Sequence, residues 1–193
     1  MPILVEPALP AGHLRARTQP RLAVDEELTL RPWRPEDAEV VREAFGCPDI
    51  QRWHVRRLDS AEEARDWIAG WQTRWREERD ASWAVVGVDD RPVGQTGLRS
   101  VDLVEGTAEL SYWVLPSARG RGVAARMARR VVRWSFEELG LHRLYLRHST
   151  ENVASCRVAE RAGFAEEGVL RSSVRHADGW HDMHLHALVS AAS

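Results

Sequence analysis

One stretch of the chain, residues 109–124, constrains the fold more than any other. It begins with an apolar and aromatic run, Leu110–Leu115, which has the length and composition of a β-strand. Pro116 ends that strand because proline cannot donate to a central ladder. A loop with two glycines and two arginines follows, and from Val123 onward apolar residues recur at helical spacing. The sequence therefore predicts a strand, a glycine loop and a helix in direct succession.

The glycine loop has properties that suit a phosphorylated ligand. Glycines let the backbone approach a ligand closely, and the first turn of a helix offers unpaired N–H groups at the positive end of its dipole. Arg119 and Arg121 add positive charge. The loop is not a P-loop, since the Gly-Lys-Ser/Thr ending is missing, and it lacks the third glycine of the dinucleotide fingerprint. On these residues alone, an ordinary turn and a phosphate site both stay open.

Composition limits the broad class of the protein. The 193 residues suffice for one domain with a proper core, and 44% of them are hydrophobic. A net charge of -2 points to neither nucleic acid nor an anionic membrane. No apolar run reaches the roughly 20 residues of a membrane span, and no secretory signal is visible. Cys47 and Cys156 suggest no disulfide framework, so we expect a cytoplasmic protein.

Periodicity and turn signals predict the element order β-α-α-β-β-β-α-β-α-β-β. The strands are predicted over residues 28–33, 82–88, 92–99, 107–115, 143–148, 164–175 and 180–189, and the helices over 34–45, 61–80, 123–139 and 152–163. A strand–helix–strand unit in the middle implies a parallel pair, formed by the fourth and fifth strands, inside a mixed sheet. The prediction is an α/β (α+β) domain over 28–189, with about seven mostly antiparallel strands and about four helices. Residues 1–27 form an N-terminal extension packed over the surface, packed on a partner subunit or partly disordered.

Local signals support several of these boundaries. Ser60 and Glu63 form a capping box before the second helix. Gln95-Thr96-Gly97 suggests a bulge or a close backbone approach, Glu167-Gly168 an early turn in the sixth strand, and Asp178-Gly179 a hairpin turn.

A second motif makes a family resemblance specific. Residues 152–164 read Asn-Val-Ala-Ser-Cys-Arg-Val-Ala-Glu-Arg-Ala-Gly-Phe. This resembles the Asn-x-x-Ser-x-x-Val-x-Glu-Lys/Arg-x-Gly-Phe motif of the RimJ/RimL-like branch of the GNAT family of N-acetyltransferases. Arg119, Gly122 and Ala124 match that family's Arg/Gln-x-x-Gly-x-Gly/Ala coenzyme A loop. Asp59–Ile68 and residues 179–182 resemble the branch's second helix and final hairpin, so the predicted domain is similar to the GNAT fold.

The resemblance implies acetyl-CoA as the cofactor and assigns residues to it. Backbone groups of Trp113, Val114 and Leu115 would hold the pantetheine arm. The pyrophosphate would be held by the loop residues Arg119, Gly120, Arg121, Gly122, Val123 and Ala124. Asn152 would bond the pantetheine amide, although it is also an ordinary N-cap for the helix that follows, and both can be true.

The chemistry of amide formation points to candidate catalytic residues. The attacking amine must be neutral, and the leaving thiolate is helped by a hydrogen-bond donor. Glu109 is our candidate base, because it begins the strand whose far end would hold the thioester and the branch that the chain resembles often carries an acid there. The alternative is a salt bridge at the rim, and Glu105 is a weaker candidate. Many GNAT enzymes use a tyrosine as acid seven residues after the helix asparagine, where this chain has Ala159. The RimL-like branch instead places a serine near the sulfur, which Ser155 matches.

Other polar residues receive less specific interpretations. Tyr112 is expected on the sheet face opposite to Glu109, and Cys156 as a buried, small apolar residue. His184 and His186 would share a strand face with Asp182, and His176 and His181 lie nearby in sequence. Their spacing fits no closed metal site, so no metal is expected. A histidine near the acceptor pocket could act as a second base.

The function predicted on this basis is direct transfer of an acetyl group to a primary amine in a ternary complex. The acceptor is a protein N-terminus or a small-molecule amine, bound between residues 47–58 and the final hairpin. Arg52, Arg56 and Arg57 indicate either an acidic acceptor or a solvated basic loop, and they would also fit succinyl-CoA as the donor. The alternatives are an acyl-CoA-binding module without turnover and a structural homo-oligomer. A homodimer is possible, whereas nucleic acid and membrane partners are not expected.

Overall fold

The computed structural model describes residues 4–191, and in that part of the chain one mixed sheet carries the fold. The strands are β1 (Leu22–Ala23), β2 (Thr29–Pro32), β3 (Ala81–Val86), β4 (Pro92–Asp102), β5 (Thr107–Val114), β6 (Arg143–Ser149), β7 (Ala165–His176) and β8 (Gly179–Val189). The helices are α1 (Ala38–Gly46), α2 (Pro48–Gln51), α3 (Ala61–Arg76), α4 (Val123–Trp134) and α5 (Val153–Arg161). A π-helical turn, Ser135–Leu139, extends α4.

The sheet has the order β1-β2-β3-β4-β5-β6-β8-β7. Every neighbouring pair is antiparallel except β5 and β6, which are parallel. This confirms the mixed sheet and its single parallel pair. The described chain has eight strands instead of about seven because Leu22 and Ala23 pair with Leu30 and Thr29. Two residues are too few to display the period of two that marks a strand in sequence.

Helix α3 forms as its capping signal predicts, with one difference. The Ser60 Oγ accepts a hydrogen bond from the backbone N–H of Glu63 at 3.1 Å, whereas the Glu63 carboxylate accepts from the N–H of Asp59 at 2.7 Å. The helix ends at Arg76, earlier than the predicted end near residue 80. Glu78 adopts a left-handed conformation with φ 59°, which cannot continue a helix.

Two hydrophobic cores cover the two faces of the sheet. One lies under α4 and α5, where Trp83 packs edge-on against Trp134 with ring centroids 5.1 Å apart. The other lies under α1 and α3, where Trp33 packs against Trp67 at 5.3 Å. Strand β3 is buried along its whole length because both cores cover it. Seven tryptophans are buried in the cores: Trp33, Trp67, Trp71, Trp75, Trp83, Trp113 and Trp134.

Gly97 in β4 is a point of close backbone approach, as its sequence context predicts. A Cβ atom at this position would lie 2.1 Å from the carbonyl oxygen of Ala81 in β3. The register shift between β3 and β4 lies at Val85/Val86, away from residues 95–97. The glycine therefore serves close strand packing and not a bulge.

The described part of the N-terminal segment packs on the domain. Leu14 is fully buried in the first core. The Glu78 carboxylate accepts hydrogen bonds from the backbone N–H groups of Gly12, Leu14 and Arg15 at 2.6, 2.7 and 3.2 Å. Of the predicted 1–27 extension, residues 1–3 lie outside the described residues.

The β7–β8 hairpin departs from its prediction by small shifts. Its turn lies at Ala177 and Asp178, one residue earlier than expected, and Gly179 with φ 138° begins β8. At Glu166/Gly168 the register of β7 shifts within the strand, so a bulge replaces the predicted turn. This hairpin stands beside the candidate site.

Candidate active site

A cavity opens where β5 and β6 separate. Residues Thr107–Glu109 of β5 pair with Arg143–Tyr145 of β6, and the pairing of these two strands ends there. Strand β5 stays paired with β4 as far as Val114. The gap holds a cavity of about 580 Å³. That volume lies in the usual range for small-molecule sites.

The glycine loop lies at one end of this cavity, and Arg119 and Ala124 line it. Gly122 has φ 71° and stands at the N-cap of α4, so it supplies no capping side chain. Gly120 is also left-handed, with φ 77°. A Cβ atom at either glycine would meet no atom within 4 Å, so their role is backbone conformation rather than tight packing. The first N–H groups of α4 are thus left without a side-chain cap at the cavity's edge.

Arg119 ties the loop to two other elements. Its Nε donates to the carbonyl oxygen of Val114 at 3.1 Å, and its Nη1 donates to Asp49 at 2.8 Å. The backbone N–H of Leu115 donates to Val93 at 2.9 Å. Two of the backbone groups predicted to receive pantetheine therefore already have partners in this structure. Trp113 lines the cavity, and its ring belongs to the second core.

The start of α5 forms another wall. The Asn152 side-chain oxygen accepts a hydrogen bond from the backbone N–H of Ser155 at 3.1 Å, which confirms the N-cap interpretation. Both residues line the cavity. The Tyr112 hydroxyl donates to the backbone carbonyl of Ser155 at 3.5 Å, and burial raises the pKa of Tyr112 to about 12.

Glu109 forms an ion pair at the point where the parallel pairing ends. Arg147 binds its two carboxylate oxygens, Nε donating at 2.9 Å and Nη2 at 2.8 Å. This bond raises the pKa of Arg147. Glu109 therefore lies in the cavity wall, as expected of a base, and also makes the salt bridge that the sequence left as the alternative.

Histidines and Trp53 line the part of the cavity beside the hairpin, where the Trp53 and His176 rings lie 6.3 Å apart. Burial lowers the pKa of His54 to about 4, and the charges of Arg99 and Arg56 add to this effect. Burial also lowers the pKa of His176. These imidazoles are consequently neutral at pH 7.

A further histidine cluster joins β6 and β8. The Nε2 atoms of His148 and His186 lie 3.2 Å apart, and His184 Nδ1 lies 3.2 Å from Glu166. The Asp182 carboxylate accepts a hydrogen bond from the backbone N–H of Ser172 at 2.8 Å, so the histidine contacts go to His148 and Glu166 instead. That Asp182 shares a strand face with His184 and His186 stays a prediction. The expectation of no metal stays a prediction.

Comparison with known proteins assigns the fold. The family model "Acetyltransferase (GNAT) domain" matches residues 27–165, which is most of the chain. The chain belongs to the GNAT family of acetyltransferases. No helix in the described residues is long and apolar enough to cross a membrane.

Relatives extend this result to activity and cofactor. The chain is 30% identical to the probable N-acetyltransferase YjcK of Bacillus subtilis, over 83% of this chain and 93% of the relative. It is 29% identical to the putative ribosomal N-acetyltransferase YdaF of the same organism, over 86% and 93%. A RimL ribosomal alpha-N-protein acetyltransferase, solved with coenzyme A, superposes with a TM-score of 0.84 at 17% identity, over 90% of this chain and 100% of that chain. The protein is an acetyl-CoA-dependent N-acetyltransferase with a RimL-like fold.

The cavity of this GNAT enzyme brings together part of the predicted site. Glu109, Trp113, Val114, Arg119, Ala124, Asn152 and Ser155 line it, whereas Leu115, Gly120, Arg121, Gly122 and Val123 do not. Tyr112 packs against the first core and Trp113 belongs to the second, and both line the cavity. That Tyr112 lies on the sheet face opposite to Glu109 stays a prediction. Cys156 is half-buried instead of buried, and burial and Glu160 raise its thiol pKa.

Sequence reasoning missed several cavity residues of the GNAT site, chiefly Arg147, His148 and Ser149 at the end of β6. Their only local signal is a run of polar residues following an apolar strand. Residues carried on the carboxyl end of a parallel strand face the crevice where ligands bind. That rule, applied to β6, would have found them.

Proposed function

We propose that this enzyme acetylates a primary amine that carries a negative group close by, with a protein N-terminus as the leading acceptor. The observation that carries this proposal is a second depression of about 400 Å³ beside the cavity. It shares His54 and His176 with the cavity, so an acceptor can extend from one into the other.

The charge of this depression favours an anionic acceptor. Arg56, Arg57 and Arg175 line it, and the described residues that line it include no acidic side chain. Arg57 pairs with Asp59 at 2.7 Å, which leaves Arg56 and Arg175 as the cations nearest to a ligand. A polycationic amine would meet repulsion here, whereas an acidic peptide would gain charge-assisted hydrogen bonds. The names of YdaF, a putative ribosomal N-acetyltransferase, and of RimL, a ribosomal L7/L12 alpha-N-protein acetyltransferase, support a protein N-terminus.

We assign roles to the cavity residues on the same basis. Residues 119–124 hold the pyrophosphate of acetyl-CoA, and the backbone of 113–115 with Asn152 holds the pantetheine arm. Arg119 must leave the Val114 carbonyl for that arm to bind. Glu109 attracts the acceptor ammonium into the cavity, and the Ser155 hydroxyl donates a hydrogen bond to the departing thiolate.

The cofactor assignment is tested by thermal unfolding with acetyl-CoA and succinyl-CoA. A ligand at 100 times its Kd stabilises the folded protein by about 2.7 kcal/mol. We expect this shift with acetyl-CoA and its loss in Gly122→Trp, whose indole would fill the open space at the loop. A larger shift with succinyl-CoA would identify it as the preferred acyl donor. No shift with either compound would refute the cofactor site.

The acceptor assignment is tested by release of free thiol from acetyl-CoA. The probes are a peptide with a free N-terminus and acidic side chains, the same peptide with those side chains replaced by alanine, and spermidine. We expect the acidic peptide to have the highest kcat/KM, and Arg56→Ser with Arg175→Ser to remove that preference. Arg171→Ser, an exposed arginine of β7 outside both depressions, is the matched control. A preference for spermidine would refute the proposal.

We also infer a cytoplasmic homodimer with the catalytic domain at residues 28–189 and an extension at 1–27. The family match, which starts at residue 27, supports the boundary. Exposed apolar side chains of the hairpin, Val169, Leu170 and Trp180, support self-association. Light scattering of the wild type and of Trp180→Ser measures the mass in solution and so tests the homodimer. Cell fractionation tests the cytoplasmic location.

A further inference from the structure

Three hydrogen-bonded side chains connect the cavity with the surface at its hairpin end. Ser149 Oγ, at the end of β6, lies 2.8 Å from His181 Nδ1 in β8. His181 Nε2 lies 2.9 Å from Asp178 Oδ1 in the hairpin turn. Ser149 lines the cavity, whereas the Asp178 side chain is 55% exposed. The chain Ser149–His181–Asp178 thus runs from the site to solvent.

The partners of His181 fix the direction of these hydrogen bonds. A carboxylate can only accept, so Nε2 of neutral His181 carries the hydrogen that is donated to Asp178. Nδ1 then has a lone pair and accepts the Ser149 hydroxyl hydrogen. This is the polarity that lets an imidazole take a proton from a serine, the arrangement of Ser–His–Asp catalytic sets.

Ser149 keeps a free acceptor position for a ligand. A hydroxyl oxygen has one hydrogen and two lone pairs. The hydrogen goes to His181, and one lone pair accepts the backbone N–H of Glu151 at 3.2 Å. The other lone pair is available to an N–H group in the cavity.

The residues around His181 hold these hydrogen-bonded side chains in place and shield the imidazole from solvent. His181 is only 7% exposed, and the rings of Trp53 from the α2 end and His176 from β7 pack on it, with centroids at 6.4 and 4.5 Å. The titratable and charged groups in contact with it are His176 in β7 and Asp178 in the turn. Arg52 lies over the Trp53 ring and pairs with Glu151 at 3.3 Å, and His148 precedes Ser149 in β6. Asp178 is the only carboxylate among these that hydrogen-bonds the imidazole.

We propose that Ser149, His181 and Asp178 form a proton relay that deprotonates the acceptor ammonium. The inference rests on the proposed amine acetylation. Glu109 is poorly suited to this step alone, because Arg147 binds both of its oxygens. Ser149 contacts the amine, and His181 and Asp178 are positioning residues that act through it.

The proton balance closes without another reactant. The ammonium passes one proton to Ser149 Oγ as the Ser149 hydroxyl proton moves to His181 Nδ1, and the imidazolium formed is stabilised by Asp178. The neutral amine attacks the thioester carbonyl, the C–N bond forms and the C–S bond breaks. The second N–H proton goes to the coenzyme A thiolate. His181 releases its proton to solvent, so one proton is set free per turnover.

The first experiment measures the tautomer of His181 in the wild-type protein by ¹⁵N NMR of the imidazole nitrogens. It needs no acceptor and is independent of turnover. The relay predicts hydrogen on Nε2 and a bare Nδ1, whose resonance moves in Ser149→Ala. Hydrogen on Nδ1 of neutral His181 would overturn the relay.

The second experiment compares thiol release by wild type, Ser149→Ala and His181→Asn at pH 7 to 9. We expect kcat to fall about 10²-fold or more at pH 7 with the KM for acetyl-CoA unchanged. For a peptide α-amine of pKa about 7.7 to 8.0, the neutral fraction rises about 6- to 10-fold over this range, so the loss shrinks as the pH rises. For 4-aminobutyrate, an alkylamine of pKa about 10.4, the neutral fraction is below a tenth throughout, so a substantial loss remains at pH 9.

Controls separate the relay from a structural role and from other chemistry. Ser149→Thr keeps the hydroxyl and should restore activity, and Ser135→Ala removes a buried hydroxyl elsewhere and should change nothing. A loss of the same size at every pH for the peptide, or an acetyl group found on Ser149, would overturn the relay. No thiol release by the wild type with any amine would instead refute the proposed function, and the NMR result would still decide the relay geometry.

Discussion

Arg147 binds both carboxylate oxygens of Glu109, at 2.9 and 2.8 Å, just where β5 and β6 stop pairing. Bidentate arginine–carboxylate pairs are stronger and more directional than single charged hydrogen bonds. The pair links the two strands across the start of the gap, and it places a carboxylate in the cavity wall in a fixed orientation. This fixed orientation makes the role of Glu109 testable by substitution.

Replacing Glu109 by Gln should lower kcat about 10²-fold, because the carboxylate charge holds the ammonium in position for reaction and a small misplacement can cost this much. The stabilisation by acetyl-CoA in thermal unfolding should persist, because Glu109 lies away from the glycine loop. Glu167→Gln, which breaks an ion pair between Glu167 and Arg143 outside the cavity, is the control and should keep full activity. A Glu109→Gln enzyme with wild-type kcat would exclude Glu109 from the reaction.

Replacing Gly97 by Ala should destabilise the protein by about 3 kcal/mol, because its Cβ would meet the Ala81 carbonyl at 2.1 Å and β3 and β4 would have to move apart. Gly46→Ala is a matched control at the end of α1, where a Cβ meets no atom within 4 Å. Urea unfolding measures the stability of both variants. Equal stability of the two variants would mean that the sheet relaxes without cost.

Replacing Leu14 by Ala should cost about 2 to 5 kcal/mol, because Leu14 is fully buried in the first core. Leu4→Ala should have no effect, since Leu4 is fully exposed. Deletion of residues 1–27 should destabilise the protein at least as much as Leu14→Ala does, because it also removes Leu22 from the core. If the deletion leaves the unfolding midpoint unchanged, the extension does not contribute to the stability of the domain.

Stability should fall between pH 7.5 and pH 5.5. Burial lowers the pKa of His54 to about 4 and also lowers those of His148, His176 and His186. Their folded pKa values lie below the unfolded value of about 6.5, so acidification protonates the unfolded chain first and favours unfolding. His54 alone should account for about 1.4 kcal/mol at pH 5.5.

The measurement is the urea midpoint at the two pH values in wild type and His54→Gln. The variant should lose part of the pH dependence, and His142→Gln, at an exposed position, should not. A pH-independent midpoint in the wild type would contradict the depressed histidine pKa values.

Local signals were sufficient for most of the elements. The capping serine of α3, the N-cap Asn152 and the glycines that start and follow helices act within a few residues, so their consequences can be predicted without the fold. The predictions were wrong where contacts with segments distant in sequence determine whether a strand forms or where a helix ends. β1 exists because β2 offers a partner, and α3 ends early where Glu78 turns to bind the N-terminal segment.

The candidate site divides in the same way. The sequence by itself determined the family, the coenzyme A loop and the helix that follows it, because these lie in continuous motifs whose chemistry depends on neighbouring residues. Only the tertiary structure decided that Arg147 would bind Glu109, and that Ser149, His181 and Asp178 would meet at the hairpin. These contacts join residues from different strands, and strand order and register, which depend on packing of the whole core, fix which side chains become neighbours.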